Sequence, residues 1–374
     1  MSTRRVLFVG TSYPSSDNDW KGLFLQRLVE ALAAHPTTSL QTWLPPGPLP
    51  ATVSPVWASD DKEWLHRLLI RGGIAHLLRS RPLHGTIAGV SLLRRLHRAY
   101  RRSDAQLFHI NWLQNALAIP ASDRRPALVT ALGSDLRLMR VPGMTALLRR
   151  VARHRKMILC PNADWMVPAL ERGLAGVAQV QCVPFGIDEA WYQVTRTPAP
   201  DGTHRWICVT RLTREKLGPL FDWGERHFSN SPHRELHLFG PHQESGVVVP
   251  PWVRYHGPAS PQQLVRDWFP VAAGLITLSQ HAEGRPQVML EAMAAGVPIL
   301  ASRLPAHTDI IEHARNGWLG EDQDTMAEGI SVIETPATNA ALGARARAWA
   351  LARIGTWADC ANRYSTLYDQ LLMQ

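Results

Sequence analysis

Two carboxylates and two cations in the second half of the chain are spaced as a ligand site would space them. Glu283 and Glu291 belong to the stretch His281-Ala-Glu-Gly-Arg-Pro-Gln-Val-Met-Leu-Glu-Ala-Met-Ala-Ala-Gly296. An apolar run, 272–279, precedes it and reads as a buried strand. The stretch passes through a polar loop into a helix that stops at Gly296, with Pro298 just beyond. Glu283 falls in the loop and Glu291 inside the helix. Where a loop feeds a helix start after a strand, unpaired N–H groups and the helix dipole point the same way and favour an anion. Carboxylates beside such a place accept hydrogen bonds from hydroxyl groups. A ligand with phosphate and hydroxyls together, such as a nucleotide sugar, meets both demands. Arg211 and Lys216 lie in Thr210-Arg-Leu-Thr-Arg-Glu-Lys216, directly after a second apolar run, 206–209. Arg offers phosphate a planar fork and Lys a compact charge. Alone, this loop is an ordinary solvated surface; beside 281–296 it becomes a place for a diphosphate.

Strands must carry these loops to one point. The first half alternates strand-like segments (6–9, 40–44, 106–110, 127–131, 157–160 and 180–183) with helical patterns, one running from Gly22 through Phe24, Leu28, Ala31 and Leu32. Residues 47–62 read as a surface loop. The second half repeats the style at 206–209, 235–239, 253–256, 274–278 and 298–301. Ser260-Pro-Gln-Gln263 opens a helix, with Ser as N-cap, Pro at the first position and Gln at the capping-box position. The segment near 185–205, with Asp188, Pro198, Pro200 and Gly202, reads as a linker, and 339–374 as mainly helical. The expected fold is α/β: two Rossmann-like domains, 1–190 and 191–355, facing each other across a cleft, with a helix over 356–374 that packs back on the first. Both would offer the C-terminal ends of their strands to the ligand.

At 374 residues the chain is comfortable for two domains. No apolar run approaches the ~18 residues of a spanning helix. The run after Arg4-Arg5 is too short for a secretory leader and reads as a first strand. Cys160, Cys182, Cys208 and Cys360 lie far apart, which excludes a compact zinc site and argues for a reduced, cytoplasmic setting. The net charge of +9 is unevenly held: residues 1–190 carry 24 Lys and Arg against 13 Asp and Glu, and residues 191–374 carry 16 against 18. The asymmetry points to an anionic partner for the first half, although a high pI also serves solubility.

Glu283-x7-Glu291, embedded in EGRPQVMLEAMAAGVPILAS, resembles the signature of retaining glycosyltransferases of the GT-B fold, family 4. The likeness extends to Val183-Pro-Phe-Gly-Ile-Asp188, to Arg211, Glu215 and Lys216, to Leu238-Phe-Gly240 and to Asn316-Gly317. Gly22, His109-Ile-Asn-Trp112 and Gly133-Ser-Asp135 fit less sharply. The resemblance implies that Glu283 holds sugar hydroxyls near the anomeric carbon and that Glu291 binds the ribose. Arg211 and Lys216 would neutralise the diphosphate, with Gly284, Arg285, Pro286, Gln287 and Val288 lining the helix start. Gly22 would let the first loop of the other domain approach, since no side chain intervenes. The donor would be a UDP- or GDP-sugar used as co-substrate, with no cofactor and no metal, because fixed cations and dipoles meet the charge on the leaving diphosphate. The triplets Asp17-Asn-Asp19 and Asp322-Gln-Asp324 accordingly read as turn or cap residues. One departure stands out: the family often has a His before Gly-x-Asp, and here that position is Leu132. Either the site works without that imidazole or His109 replaces it; His109 is otherwise a satisfied histidine at a strand end. Asp135 either orients an acceptor hydroxyl or caps a helix.

From Trp64 to Ser103 there is no acidic residue and there are nine arginines. Leu92, Leu93, Leu96, Ala99 and Tyr100 follow helical spacing, and so do Arg94, Arg95, Arg98, Arg101 and Arg102. One helix would carry an apolar face and an arginine face. The second face is either simply solvated or a surface for anionic lipid or a lipid-linked acceptor, with Leu68, Leu69, Ile70, Ile74, Leu77 and Leu78 as insertion candidates. Nucleic acid is not expected, since no recognised binding motif accompanies the arginines. The reading is a cytoplasmic glycosyltransferase, peripheral on the inner membrane face, with a nucleotide sugar and a glycan or lipid-linked acceptor as partners. Its rivals are a sugar-nucleotide epimerase or hydrolase on the same fold, and a non-catalytic basic adaptor for membranes or polyanions.

Overall fold

The computed structural model describes residues 3–373 except 17, 18, 20, 198 and 200. Asp17 and the linker prolines Pro198 and Pro200 therefore lie outside the described residues. Two parallel sheets organise the chain. The first holds β1 (Arg4–Val9), β2 (Thr38–Trp43), β3 (Ser54–Pro55), β4 (Leu107–Asn111), β5 (Ala127–Ala131), β6 (Met157–Pro161) and β7 (Gln179–Val180), in the order β3-β2-β1-β4-β5-β6-β7. The second holds β8 (His204–Val209), β9 (Arg234–Phe239), β10 (Val253–Gly257), β11 (Ala272–Thr277), β12 (Ile299–Ser302) and β13 (Trp318–Gly320), in the order β10-β9-β8-β11-β12-β13. Strands β4, β5 and β6 are buried at every position, as strands covered on both faces must be.

Each expected strand is present. The short edge strands β3 and β13 were not expected, because two or three residues are too few to show a period. Of 180–183 only the start is strand, but the chain beyond stays alongside β6: Gln181 N–H donates to Leu159 C=O at 2.9 Å and Val183 N–H to Pro161 C=O at 2.9 Å.

The chain divides into two compact units, Met1–Gly186 with Trp357–Gln374, and Ile187–Thr356. In the first unit the helix Trp357–Met373 lies on the sheet. The Arg4 guanidinium forks onto Asp369 at 2.6 and 2.5 Å and reaches the Ser365 hydroxyl at 2.7 Å. Tyr364, Leu367 and Tyr368 of that helix share a core with Val6, Phe8 and Leu28. The helices of this unit include α1 (Leu23–Ala34), α2 (Asp61–Ile70), α3 (Gly73–Ser80) and α4 (Pro82–Arg102). α4 buries Leu92, Leu96, Ala99 and Tyr100, the stripe its sequence prescribes.

In the second unit the helix Gln287–Ala294 follows β11 and is apolar almost all round, burying Met289, Leu290, Ala292, Met293 and Ala294. It ends at Gly296, where φ is +69°, a left-handed turn with Pro298 two residues on. Ser260 caps its helix, accepting from Gln263 N–H at 3.2 Å, and Asp322 caps Gln323–Glu334, accepting from Thr325 N–H at 2.8 Å. Asp19 is a turn residue, accepting from the N–H groups of Ser15 and Lys21 at 3.1 and 3.0 Å.

Candidate active site

β8, β11 and β12 are neighbours in the second sheet, so the loops leaving their C-terminal ends lie side by side. Thr213 caps the single turn Arg214–Leu217, its hydroxyl accepting from Lys216 N–H at 3.3 Å, and this fixes where Lys216 starts. Three bonds then tie this loop to the one after β11. Gln280 N–H donates to Glu215 C=O at 2.8 Å, His281 Nδ1 meets the Glu215 carboxylate at 2.6 Å, and Lys216 Nζ reaches the Glu283 carboxylate at 2.5 Å. From the β12 side, the Ser302 hydroxyl donates to Ser279 C=O at 2.7 Å. Arg285 forks onto Asp309, with Nε at 3.0 Å. The loop 279–286 is thus held from both flanks.

The two ion pairs of this loop differ in access. Arg285 and Asp309 are sealed, with side chains 3% and 4% exposed, whereas Lys216 and Glu283 are 11% and 22% exposed. Burial pushes the Lys216 amine down and the Glu283 carboxylate draws it back up. Arg211 is half-buried, close enough to Lys216 to lower it, and has no carboxylate partner among the described residues. The helix begins at Gln287 with Pro286 as N-cap; the N–H groups of Met289 and Leu290 turn back to Pro286 C=O, so Gln287 and Val288 head the helix. Glu291 is half-buried just over one turn further on. Gly284, Arg285 and Pro286 are buried, and the Arg285 guanidinium belongs to Asp309 rather than to an open site. A cation with no carboxylate partner, a lysine–glutamate pair and a helix start can together receive a diphosphate, and the glutamates can receive hydroxyls.

His307 joins this group without any sign of it in the sequence. It is fully buried, and its Nδ1 lies 2.9 Å from Ser302 C=O, an acceptor, so Nδ1 carries the hydrogen. Nε2 then bears the lone pair and has no partner among the described residues. Burial lowers its pKa, while Ser302 C=O and Glu283 raise it and Lys216 lowers it further. A neutral imidazole therefore lies within electrostatic reach of the Lys216–Glu283 pair.

In the first unit the expected residues are tied into the local framework. Gly22 caps α1 with φ +76°, and a Cβ there would stand 2.9 Å from Tyr13 N and from Ser12 Oγ, so the chain itself requires glycine at this turn. His109 is enclosed in the core of its own unit rather than open to a ligand. It is completely buried, with Nδ1 2.6 Å from the Tyr368 hydroxyl, Nε2 3.0 Å from the Thr130 hydroxyl, and the rings of Phe8 and Tyr364 against it. Burial pushes its imidazole down to about 3, so it stays neutral. Asp135 is 1% exposed and buckles two loops, its carboxylate accepting from Leu113 N–H at 2.8 Å and Leu132 N–H at 2.6 Å. Burial pushes that carboxyl up and the N–H donors pull it back, so it is not an open base for an acceptor. Nor is the arginine face of α4 uniformly available. Arg95 is bound to Asp60 and Asp61 at 2.7 Å each and stacks over Trp64, and Arg98 lies 3.7 and 3.6 Å from the same two carboxylates. Arg94, Arg101 and Arg102 remain exposed. Asp60 and Asp61 are the last acids before Glu63 and the acid-free run, and that position was the available signal.

Residues 225–334 match the family described as Glycosyl transferases group 1, a span that includes Glu283 and Glu291 but neither Arg211 nor Lys216. No curated protein matches the chain. Among solved structures, sucrose-phosphate synthase from Thermosynechococcus elongatus shares 15% identity over 99% of both chains with a TM-score of 0.74. Anabaena HepE in complex with UDP-glucose shares 16% over 98% of this chain and 100% of that one, with a TM-score of 0.64. Trehalose-6-phosphate synthase OtsA shares 11% over 98% and 99%, with a TM-score of 0.68. At such identities the likeness shows the fold. The chain carries a Glycosyl transferases group 1 segment on the two-sheet α/β fold of GT-B glycosyltransferases.

Proposed function

We propose that the protein is a family 4 glycosyltransferase that moves a sugar, with retention, from a UDP-sugar to a hydroxyl of a lipid-linked or polysaccharide precursor at the inner membrane face. The observation that carries the donor part is the Lys216–Glu283 contact of 2.5 Å, with Arg211 nearby and the start of Gln287–Ala294 following in the same loop. UDP is preferred because Anabaena HepE, which shares the fold, was solved with UDP-glucose. Before the donor arrives, Lys216 and Glu283 neutralise each other. A diphosphate offers Lys216 a second anion, which frees the Glu283 carboxylate for the sugar hydroxyls while Glu291 takes the ribose. The bond between the anomeric carbon and the diphosphate oxygen then breaks and the acceptor oxygen bonds to the same face of that carbon. The acceptor proton passes to the departing phosphate oxygen. Arg211, Lys216 and the helix start stabilise the negative charge that grows on that oxygen, and this requires neither metal nor cofactor. The scheme also needs no side-chain base, which accords with His109 and Asp135 being enclosed.

A thermal-shift screen against UDP, GDP and their sugar derivatives tests this. UDP and UDP-sugars should raise the melting temperature; no shift with any nucleotide overturns the donor reading. Product analysis without acceptor should show only slow hydrolysis, whereas complete turnover would make the protein an epimerase or hydrolase.

A further inference from the structure

The face of the first unit formed by α2, α3 and α4 leaves large apolar side chains uncovered. Ile70, Leu78, Leu83, Ile87 and Val90 are 73, 46, 80, 70 and 45% exposed. Leu83, Ile87 and Val90 recur at helical spacing along the first half of α4, while Leu92, Leu96 and Tyr100 of its second half enter the core. The turn between α3 and α4 is tight: Arg81 N–H donates to Leu77 C=O at 2.8 Å and Gly85 N–H to Arg81 C=O at 3.0 Å. A Cβ on Gly85 would stand 2.6 Å from Leu78 N, so the two helices touch backbone to backbone there. Leu78 and Leu83 are therefore presented by a fixed hairpin, not by a loose loop.

Cations flank these side chains along the same segments, from the end of α2 to the middle of α4. Arg71, Arg79, Arg81 and Arg94 are exposed and have no carboxylate partner among the described residues. Exposed apolar groups bordered by cations mark a binding surface rather than ordinary solvated helix. A second copy of the chain is a poor cover. An isologous contact sets the same patch against itself, so the arginines of one copy would face a patch that is also cationic, and 64–103 contains no acid to pair them. An anionic bilayer offers phosphates to the arginines and hydrocarbon to the leucines at the same depth.

We propose that the α3–α4 hairpin docks the protein on anionic lipid, with Leu83 and Ile87 inserted and Arg79 and Arg81 at the headgroups. This moves the membrane contact away from the second half of α4, where Asp60 and Asp61 already hold Arg95. The proposal rests on the membrane-side acceptor suggested above and not on the donor chemistry, so its test reads binding and not activity.

The full chain is floated with vesicles of phosphatidylglycerol and phosphatidylcholine, and with phosphatidylcholine alone. Binding should require the anionic lipid. It should fall about tenfold or more in a Leu83→Glu/Ile87→Glu variant, and by a comparable factor in Arg79→Glu/Arg81→Glu. Circular dichroism and melting temperature check that these exposed substitutions leave the fold intact. No binding, equal binding to both vesicles, or variants that bind as the parent does would each overturn the proposal. So would a dimer in light scattering that Leu83→Glu/Ile87→Glu dissolves, because the cover would then be a second copy.

Discussion

The loop 279–286 of the second unit and the arginine-rich face of the first handle charge in opposite ways. Around the loop each cation meets a carboxylate from a different segment: Lys216, from the turn after β8, meets Glu283 of the loop, and Arg285 of the loop meets Asp309. On the helical face one arginine, Arg95, is held between Asp60 and Asp61, and its neighbour Arg94 is bare. A count of arginines therefore says little about what is available to a ligand. Whether the fold delivers a carboxylate to each one decides it. Burial then grades the pairs: the sealed Arg285–Asp309 pair serves the loop, and the more open Lys216–Glu283 pair can change partners.

Removing half of the sealed pair should have the largest effect. Asp309→Ala removes the carboxylate that faces the buried Arg285 guanidinium, and urea unfolding should show a loss of about 3–5 kcal/mol. An unchanged unfolding curve would mean that the pair does not hold the loop. Next comes Glu283→Ala, which is expected to fold and to lower kcat by about 10²–10³ with a much smaller change in donor affinity; an active variant removes Glu283 from the chemistry. Arg211→Ala should weaken UDP binding by roughly 1.5–3 kcal/mol in a direct titration, and a superimposable titration curve would contradict its role.

The neutral histidines extend the same contrast to pH. The buried His109 imidazole has its pKa depressed to about 3 from an unfolded value of 6.5. The unfolded chain therefore binds the proton first as pH falls. Stability contributed by the neutral form is fully present above pH ~6.5 and is lost toward pH ~3, at up to ~1.4 kcal/mol per pH unit. His109→Gln should melt lower at neutral pH yet show a shallower acid slope; an identical slope would mean that His109 is not the neutral group. The smallest effect is expected from Arg94→Ala, which should stay within ~0.5 kcal/mol of the parent stability.

What the sequence showed and what it hid follow from distance along the chain. The run 127–131 was legible as a strand, the Gly296 stop as a helix end and Asp322 as a cap, because each depends on a few neighbouring residues. Glu283 and Lys216 could be placed in adjacent loops, since both follow strand-like runs. The partners of His109 could not be read: Tyr368 lies 259 positions away, and nothing local distinguishes a satisfied histidine from a catalytic one. Asp309 for Arg285 and Asp61 for Arg95 are equally non-local, 24 and 34 positions off. His307, in Pro-Ala-His-Thr, follows no pattern, and only the fold brings it within electrostatic reach of Glu283 and Lys216.

The return of Trp357–Met373 to the first sheet has a consequence for synthesis. The second unit is one uninterrupted segment, whereas the first is interrupted by all of it. Arg4 meets Asp369, and His109 meets Tyr368, only after Ile187–Thr356 has left the ribosome. The first sheet must therefore wait with one flank bare, its buried His109 without a cover, while the later-made unit can fold at once. Released chains truncated before Trp357 should hold a folded second unit and an unfinished first one.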